Sequence, residues 1–161
     1  MAQAEALQAA VTASTAHFFL THNYTGYPLI RQAREMVANG ALGSLRVAQL
    51  EYAQDWLAEP LEATGQKQAS WRTDPARSGA GAIGDIGTHA FNLLQFVTGD
   101  TVTALAADLN SFVDGRQVDD NAQIMLRLAS GARGSIWASQ VAVGNENNLR
   151  LRLYGDEGSL D

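Results

Sequence analysis

The sequence predicts an α+β fold, an open and mostly antiparallel sheet with helices packed on one face. Three observations carry that prediction. In most of the first hundred positions apolar residues recur at helical intervals, and from residue 101 onward the recurrence becomes that of strands. The later runs are separated by short turn signals at Asp114-Gly115, Ser130-Gly131, Gly144-Asn145 and Gly155-Asp156. Short strands joined by tight turns pair antiparallel and leave one face for helices.

Taken in order, Met1 to about Ala16 is alanine-rich, with Leu7 and Val11 four apart, and reads as a helix. His17-Phe18-Phe19-Leu20-Thr21 reads as a short buried strand. Thr25-Gly26-Tyr27-Pro28 breaks the chain, and Pro28 suits the first turn of a helix running to Ala38, with Leu29, Ala33 and Val37 on one stripe and a stop at Asn39-Gly40. The alternation Leu45, Val47, Gln49, Glu51 places a strand within 44–56. Glu59 to Ala69 is polar, carries Pro60 and Gly65, and reads as a loop able to serve as a lid, with Lys67 and Gln68 in solvent. A helix follows from about Gly84 to Val97. The later strands are expected at 102–109, 122–128, 135–143 and 149–154, with Gly158 to Asp161 at the threshold of another.

Composition limits the function. A length of 161 residues suits one domain with a real core rather than two. A formal charge of −6 argues against non-specific binding to nucleic acid or to acidic membranes. The absence of cysteine excludes disulfides, thiolate metal sites and cysteine nucleophiles, and fits a reducing compartment. With no basic leader and no apolar run of bilayer length, the expectation is a soluble, cytoplasmic protein.

The most informative stretch is Gly81-Ala82-Ile83-Gly84-Asp85-Ile86-Gly87-Thr88-His89. On a helix, positions i and i+4 share a face, so Asp85 and His89 are expected to point into one space. Glycines at 81, 84 and 87 allow another backbone or a ligand to come close to that face. A histidine steered by a carboxylate is a common general acid/base near neutral pH. Asp85 also suits a helix N-cap, and a lone histidine is more often structural than catalytic. The pair could ligate a metal, but a mononuclear site needs a third ligand, and only His17 and His22 remain as histidine donors, so no metal is expected. Trp71-Arg72 offers an indole wall and a donor for substrate hydroxyls, against the plainer reading of a packed tryptophan beside a surface arginine. Asn23 and Tyr24, where the expected first strand ends, stand where ligand groups gather in α/β units.

Beyond these residue-level readings, the chain resembles the substrate-side domain of the Gfo/Idh/MocA oxidoreductases. The landmarks are His22-Asn23-Tyr24, Ala38-Asn39-Gly40-Ala41-Leu42-Gly43, Trp71-Arg72, Gly84-Asp85-Ile86-Gly87-Thr88-His89 and Gly155-Asp156-Glu157-Gly158-Ser159. The resemblance implies an NAD(P)-dependent dehydrogenase that oxidises a hydroxyl of a sugar, polyol or related carbohydrate. His89 would be its general base and Asp85 the partner that orients and tunes it. Arg72, Trp71, Asn23 and Tyr24 would form the substrate wall. It also implies that residues 1–22 are the tail of a dinucleotide-binding domain and that 23–161 form a substrate-binding and oligomerisation domain, truncated at its C-terminal end. No Gly-x-Gly-x-x-Gly fingerprint of a cofactor domain and no Glu-Lys-Pro is read here, and the sole lysine is Lys67. NAD or NADP is therefore expected in the full-length enzyme but not bound to this chain, which alone is expected to be inactive. A homo-oligomer is expected through the open sheet face, with Trp137, Ile136 and alternating residues of Ile124 to Leu128 as its apolar surface. The alternatives are a stand-alone, non-catalytic carbohydrate-binding or dimerisation module, and a hydrolase or lyase using Asp85 and His89 without nicotinamide.

Overall fold

The computed structural model describes residues 2–161. Helix α1 (Ala2–Thr12) opens the chain and buries none of its residues. Residues 13–22 then run without pairing into the sheet, so the expected strand at 17–21 is corrected. A strand needs a neighbour for its N–H and C=O groups, and none adjoins this segment; Phe18, Phe19 and Leu20 stand exposed.

A short 3₁₀ turn at Asn23–Gly26 leads into α2 (Pro28–Ala38), capped at Asn39 as expected. Its half-buried stripe, packed against the core, is Ile30, Ala33 and Val37; Leu29, expected on that stripe, is 82% exposed. Strand β1 (Leu45–Ala53) follows. The expected loop is largely ordered instead. It holds a 3₁₀ turn at Leu61–Thr64, then α3 (Lys67–Arg72), with α4 (Pro75–Ser78) close behind. Gln66 caps α3 by accepting from the Ala69 N–H at 2.6 Å. One turn of π-helix at Ile83–Gly87 runs into α5 (Thr88–Thr98), which stops at Gly99.

Strands β2 (Val102–Asn110), β3 (Asn121–Leu128), β4 (Arg133–Ser139), β5 (Asn148–Gly155) and β6 (Ser159–Leu160) lie where the turn signals place them. The six strands form one sheet in the order β2-β3-β4-β1-β5-β6. Every neighbouring pair is antiparallel except β1 and β4. The sheet is therefore open and mostly antiparallel, as predicted.

Helices α2 and α5 cover one face. Leu93, Leu94 and Val97 of α5 pack there on Ala48, Leu50, Ile136 and Leu153. Strand β3 shows why the two faces differ: Ile124, Leu126 and Leu128 are buried toward the helices, while Gln123, Met125 and Arg127 face outward. Ile136 and Ile124 therefore belong to the covered core, and the expectation that they form an open apolar surface is corrected. The outward row pairs Met125 with Ala106 and Ser135, and Gln123 with Trp137.

The one parallel pair creates a crevice at the middle of the sheet. Because β1 and β4 run the same way, their C-terminal ends lie side by side there. The first delivers Tyr52, Gln54 and Trp56 to that edge, the second Ser139 and Gln140.

Candidate active site

At the joined ends of β1 and β4 lies an open cavity of about 380 Å³. One wall comes from the motif segment and carries Asp85, Ile86 and His89. The other comes from the end of β1 and the segment after it, with Tyr52, Gln54, Trp56, Gln66, Gln68 and Arg72.

The motif wall depends on Asp119, at the end of the β2–β3 connection. Its carboxylate accepts the N–H of Gly81 at 2.9 Å and of Ile83 at 2.7 Å, and its carbonyl accepts the N–H of Ala82 at 2.8 Å. These are the free donors at the start of the π turn and α5. The expected alternative, Asp85 as the N-cap, is thereby corrected: Asp119 does the capping, and the Asp85 carboxylate turns elsewhere. Gly81 is required by the close approach. A Cβ built there would stand 1.7 Å from the Asp119 carbonyl oxygen.

Asp85 is held by two donors on the same oxygen. Its Oδ2 accepts from Arg72 Nε at 3.0 Å and from Gln140 Nε2 at 2.8 Å. Gln140 is itself buried, with its N–H on the Asp120 carbonyl and its own carbonyl taking the Leu57 N–H. With its charge offset by Arg72, Asp85 leaves Oδ1 for a ligand.

His89 is half-buried and packs among aromatic rings. His22 meets it edge-on at 5.6 Å between centroids, Tyr24 at 5.2 Å and Tyr52 at 6.4 Å. Its Nδ1 is buried with no hydrogen-bond partner. Burial, and secondarily the positive charge that His22 would carry, lower the His89 imidazole below the ordinary value of 6.5, while the nearby Asp85 charge pulls it up. This lowering favours the neutral imidazole, the form able to accept a proton. No hydrogen bond joins it to Asp85, which acts on it through charge. Tyr52 is no rival base. Burial first, and then its hydrogen bond with the Tyr24 hydroxyl, raise its phenol far above the ordinary tyrosine value.

Of the six residues singled out in the sequence, Asp85, His89 and Arg72 line the cavity. Tyr24 sits behind His89, bonded to Tyr52. Trp71 does not line it: the Arg72 guanidinium stacks on Trp71 at 4.3 Å, and the Trp71 N–H donates to Gln68 at 3.1 Å. The indole on the cavity wall is Trp56, fixed by its own N–H on Gln54 Oε1 at 3.1 Å. Asn23 is exposed and lies outside the site. Gln68, expected in free solvent, lines the cavity and accepts from Arg72 and Trp71. Sequence reasoning missed His22 as a neighbour of His89, together with Tyr52, Gln54, Trp56 and Gln140. The other face of β1 was the available signal, since its even positions Ala48 and Leu50 carry on to Tyr52 and Gln54.

The letters Gly79-Ala80-Gly81-Ala82-Ile83-Gly84 do spell Gly-x-Gly-x-x-Gly, correcting the expectation that the chain carries no such string. They follow a helix rather than a strand, and the amides that would cradle a phosphate are taken by Asp119. This segment therefore does not fit a dinucleotide.

Fold and site together define a class: an α+β domain that offers an imidazole–carboxylate pair in a polar cavity beside the ends of parallel strands. The chain belongs to the GFO/IDH/MocA family, whose C-terminal domain matches residues 30–161. Levoglucosan dehydrogenase of Pseudarthrobacter phenanthrenivorans is 28% identical over 98% of this chain and 45% of its own length. A solved oxidoreductase from Sinorhizobium meliloti is 48% identical, with a TM-score of 0.84 over 99% of this chain and 41% of that one. An inositol dehydrogenase homolog from Azotobacter vinelandii, solved with NADH and myo-inositol, is 32% identical with a TM-score of 0.86, over 98% of this chain and 40% of that one. The chain spans less than half the length of the curated relatives it matches. Among the described residues no helix is long and apolar enough to cross a membrane.

Proposed function

We propose that this chain is the substrate-side part of an NAD(P)-dependent dehydrogenase that oxidises a hydroxyl of a sugar, polyol or related carbohydrate. The observation that carries the reading is a half-buried His89 beside an Asp85 paired with Arg72, in a cavity walled by three carboxamides and an indole. Each carboxamide of Gln54, Gln66 and Gln68 both donates and accepts, as a sugar hydroxyl does. An indole face suits the apolar face of a sugar ring.

In this reading His89 takes the proton of the hydroxyl being oxidised. Asp85 Oδ1 accepts from a neighbouring hydroxyl and stabilises the imidazolium as it forms. Arg72 and the glutamines orient the ring. NAD or NADP, held by residues outside this chain, is the hydride acceptor that this chemistry requires. Residues 1–22 are assigned to the cofactor-side body and 23–161 to the substrate domain. Support comes from α1, which buries nothing, and from the uncovered Phe18, Phe19 and Leu20.

The test is turnover of a panel of sugars and polyols, including levoglucosan and myo-inositol, by the full-length protein with NAD and with NADP. Reduction of either cofactor with one of them supports the reading. Hydrolysis or elimination without cofactor would replace it. This chain alone should leave NADH fluorescence unchanged, and micromolar binding would overturn the division of labour.

The open sheet face favours self-association as well. Met125 is 69% exposed there, beside Trp137, Ala104 and Ala106, on a face that no helix among the described residues covers. Sedimentation of the protein should give a homo-oligomer that Met125→Lys weakens, and a monomer in both would refute the pairing.

A further inference from the structure

Arg116 lies outside the cavity, in the connection between β2 and β3, and its side chain is fully buried. Every N–H of its guanidinium is used. Nε donates to Glu62 Oε1 at 2.9 Å, and one Nη2 hydrogen goes to Glu62 Oε2 at 3.0 Å. Nη1 reaches the Leu57 carbonyl at 2.9 Å and Asp120 Oδ2 at 3.1 Å, and Nη2 also reaches the Glu59 carbonyl at 3.3 Å. Asp120, buried too, is fixed by the N–H groups of Phe112 and Val113.

What makes this cluster unusual is how little else ties down its partner segment. Among the described residues, the hydrogen bonds of 58–71 stay within that segment and its flanking residues, except those made to Arg116. Yet this segment presents Gln66 and Gln68 to the cavity and leads directly into Arg72. A buried guanidinium with five satisfied donors holds its partners in a narrow range of geometries, because each displaced acceptor would leave an unpaired buried donor.

We propose that Arg116 is a positioning residue for substrate: it fixes the 58–71 wall, while the neighbouring Asp119 caps the opposite wall, and the two walls meet at the Arg72–Asp85 pair. The proposal rests on the carbohydrate reading of the cavity. It predicts a separation of effects, since the general base stands on the wall that Arg116 does not hold.

The experiment compares wild type with Arg116→Met and Glu62→Gln in the full-length protein, using levoglucosan and myo-inositol as probes. Arg116→Met should raise the carbohydrate KM about tenfold or more, the cost of a lost charged hydrogen-bond network, with kcat within about threefold and the cofactor KM unmoved. Glu62→Gln, which keeps the shape of the clamp, should raise KM in the same direction by less, and it carries the test if Arg116→Met fails to fold. Arg116→Lys should recover part of the loss. Unchanged KM in a folded variant, or equal losses in kcat and in cofactor binding, would overturn the proposal. Amide hydrogen exchange of the same proteins separates this failure from that of the functional reading. If wild type turns over neither probe, faster exchange across 58–71 with 83–98 unchanged still upholds the positioning role, and unchanged exchange or a uniform rise overturns it.

Discussion

The two walls of the cavity are built by opposite means. The motif wall is a continuous helical stretch with Ala82, Ile86 and Ala90 buried against the sheet, and Asp119 closes its first turn. The facing wall is a string of short turns whose cavity residues Gln66 and Gln68 stand in solvent, tied to the rest of the chain by Leu57, Ala69, one buried arginine and the Arg72–Asp85 pair. The first wall keeps a proton acceptor in place; the second gathers neutral donors and acceptors. The difference teaches that base and binding surface have different anchors, Asp119 and Arg116, and meet at the Arg72–Asp85 pair.

That comparison breaks most visibly at His89. His89→Ala in the full-length protein should lower kcat about 10²- to 10⁴-fold, the usual worth of a general base, and steady-state kinetics within a few-fold of wild type would remove it from the role. Next comes Gly81→Ala. The added Cβ would meet the Asp119 carbonyl oxygen at 1.7 Å, so a loss of about 1–3 kcal/mol or more is expected in urea unfolding. A neutral result would show the motif wall able to shift without cost. On the opposite wall, Gln68→Ala should raise the carbohydrate KM by about three- to tenfold with kcat held, the range of one neutral hydrogen bond. An equal fall in kcat would mean that the walls are coupled.

The pH dependence sharpens the same contrast by the smallest expected effect. His89 is depressed below 6.5, chiefly by burial and then by His22. It is therefore the active neutral base above its own value, and kcat/KM should fall only as the pH drops through that depressed value. His22→Asn removes the second cause and should move the acidic limb upward, toward 6.5. Asp85→Asn removes the opposing charge and should move it down. Shifts of the reverse sign would show that these neighbours do not set the base.

Much of this molecule is legible in its sequence. The helix that ends at Gly99 and the strands from Val102 onward obey local rules, a 3.6 or 2.0 repeat with turn residues between, and each lies within a residue or two of its expected place apart from the overlong ends assigned to β1 and β4. The Asp85–His89 spacing belongs to the same local class, because four residues along a helix fix a shared face whatever surrounds it. The segment 17–21 reads as a strand by propensity alone, and a strand exists only where a neighbour pairs with it.

The sequence by itself therefore determined the open sheet, its covering helices and the carboxylate and imidazole of one wall, since all of these follow from periodicity within a few residues. Only the tertiary structure decided that Trp56 rather than Trp71 faces the cavity, that Gln140 holds Asp85, and that Arg116 anchors a wall it does not belong to. Gln140 lies 55 residues from Asp85, and Arg116 lies 54 from Glu62. No local repeat encodes such partners. They meet because parallel β1 and β4 end side by side, and because a buried charge must find its counter-charge wherever the packing places one.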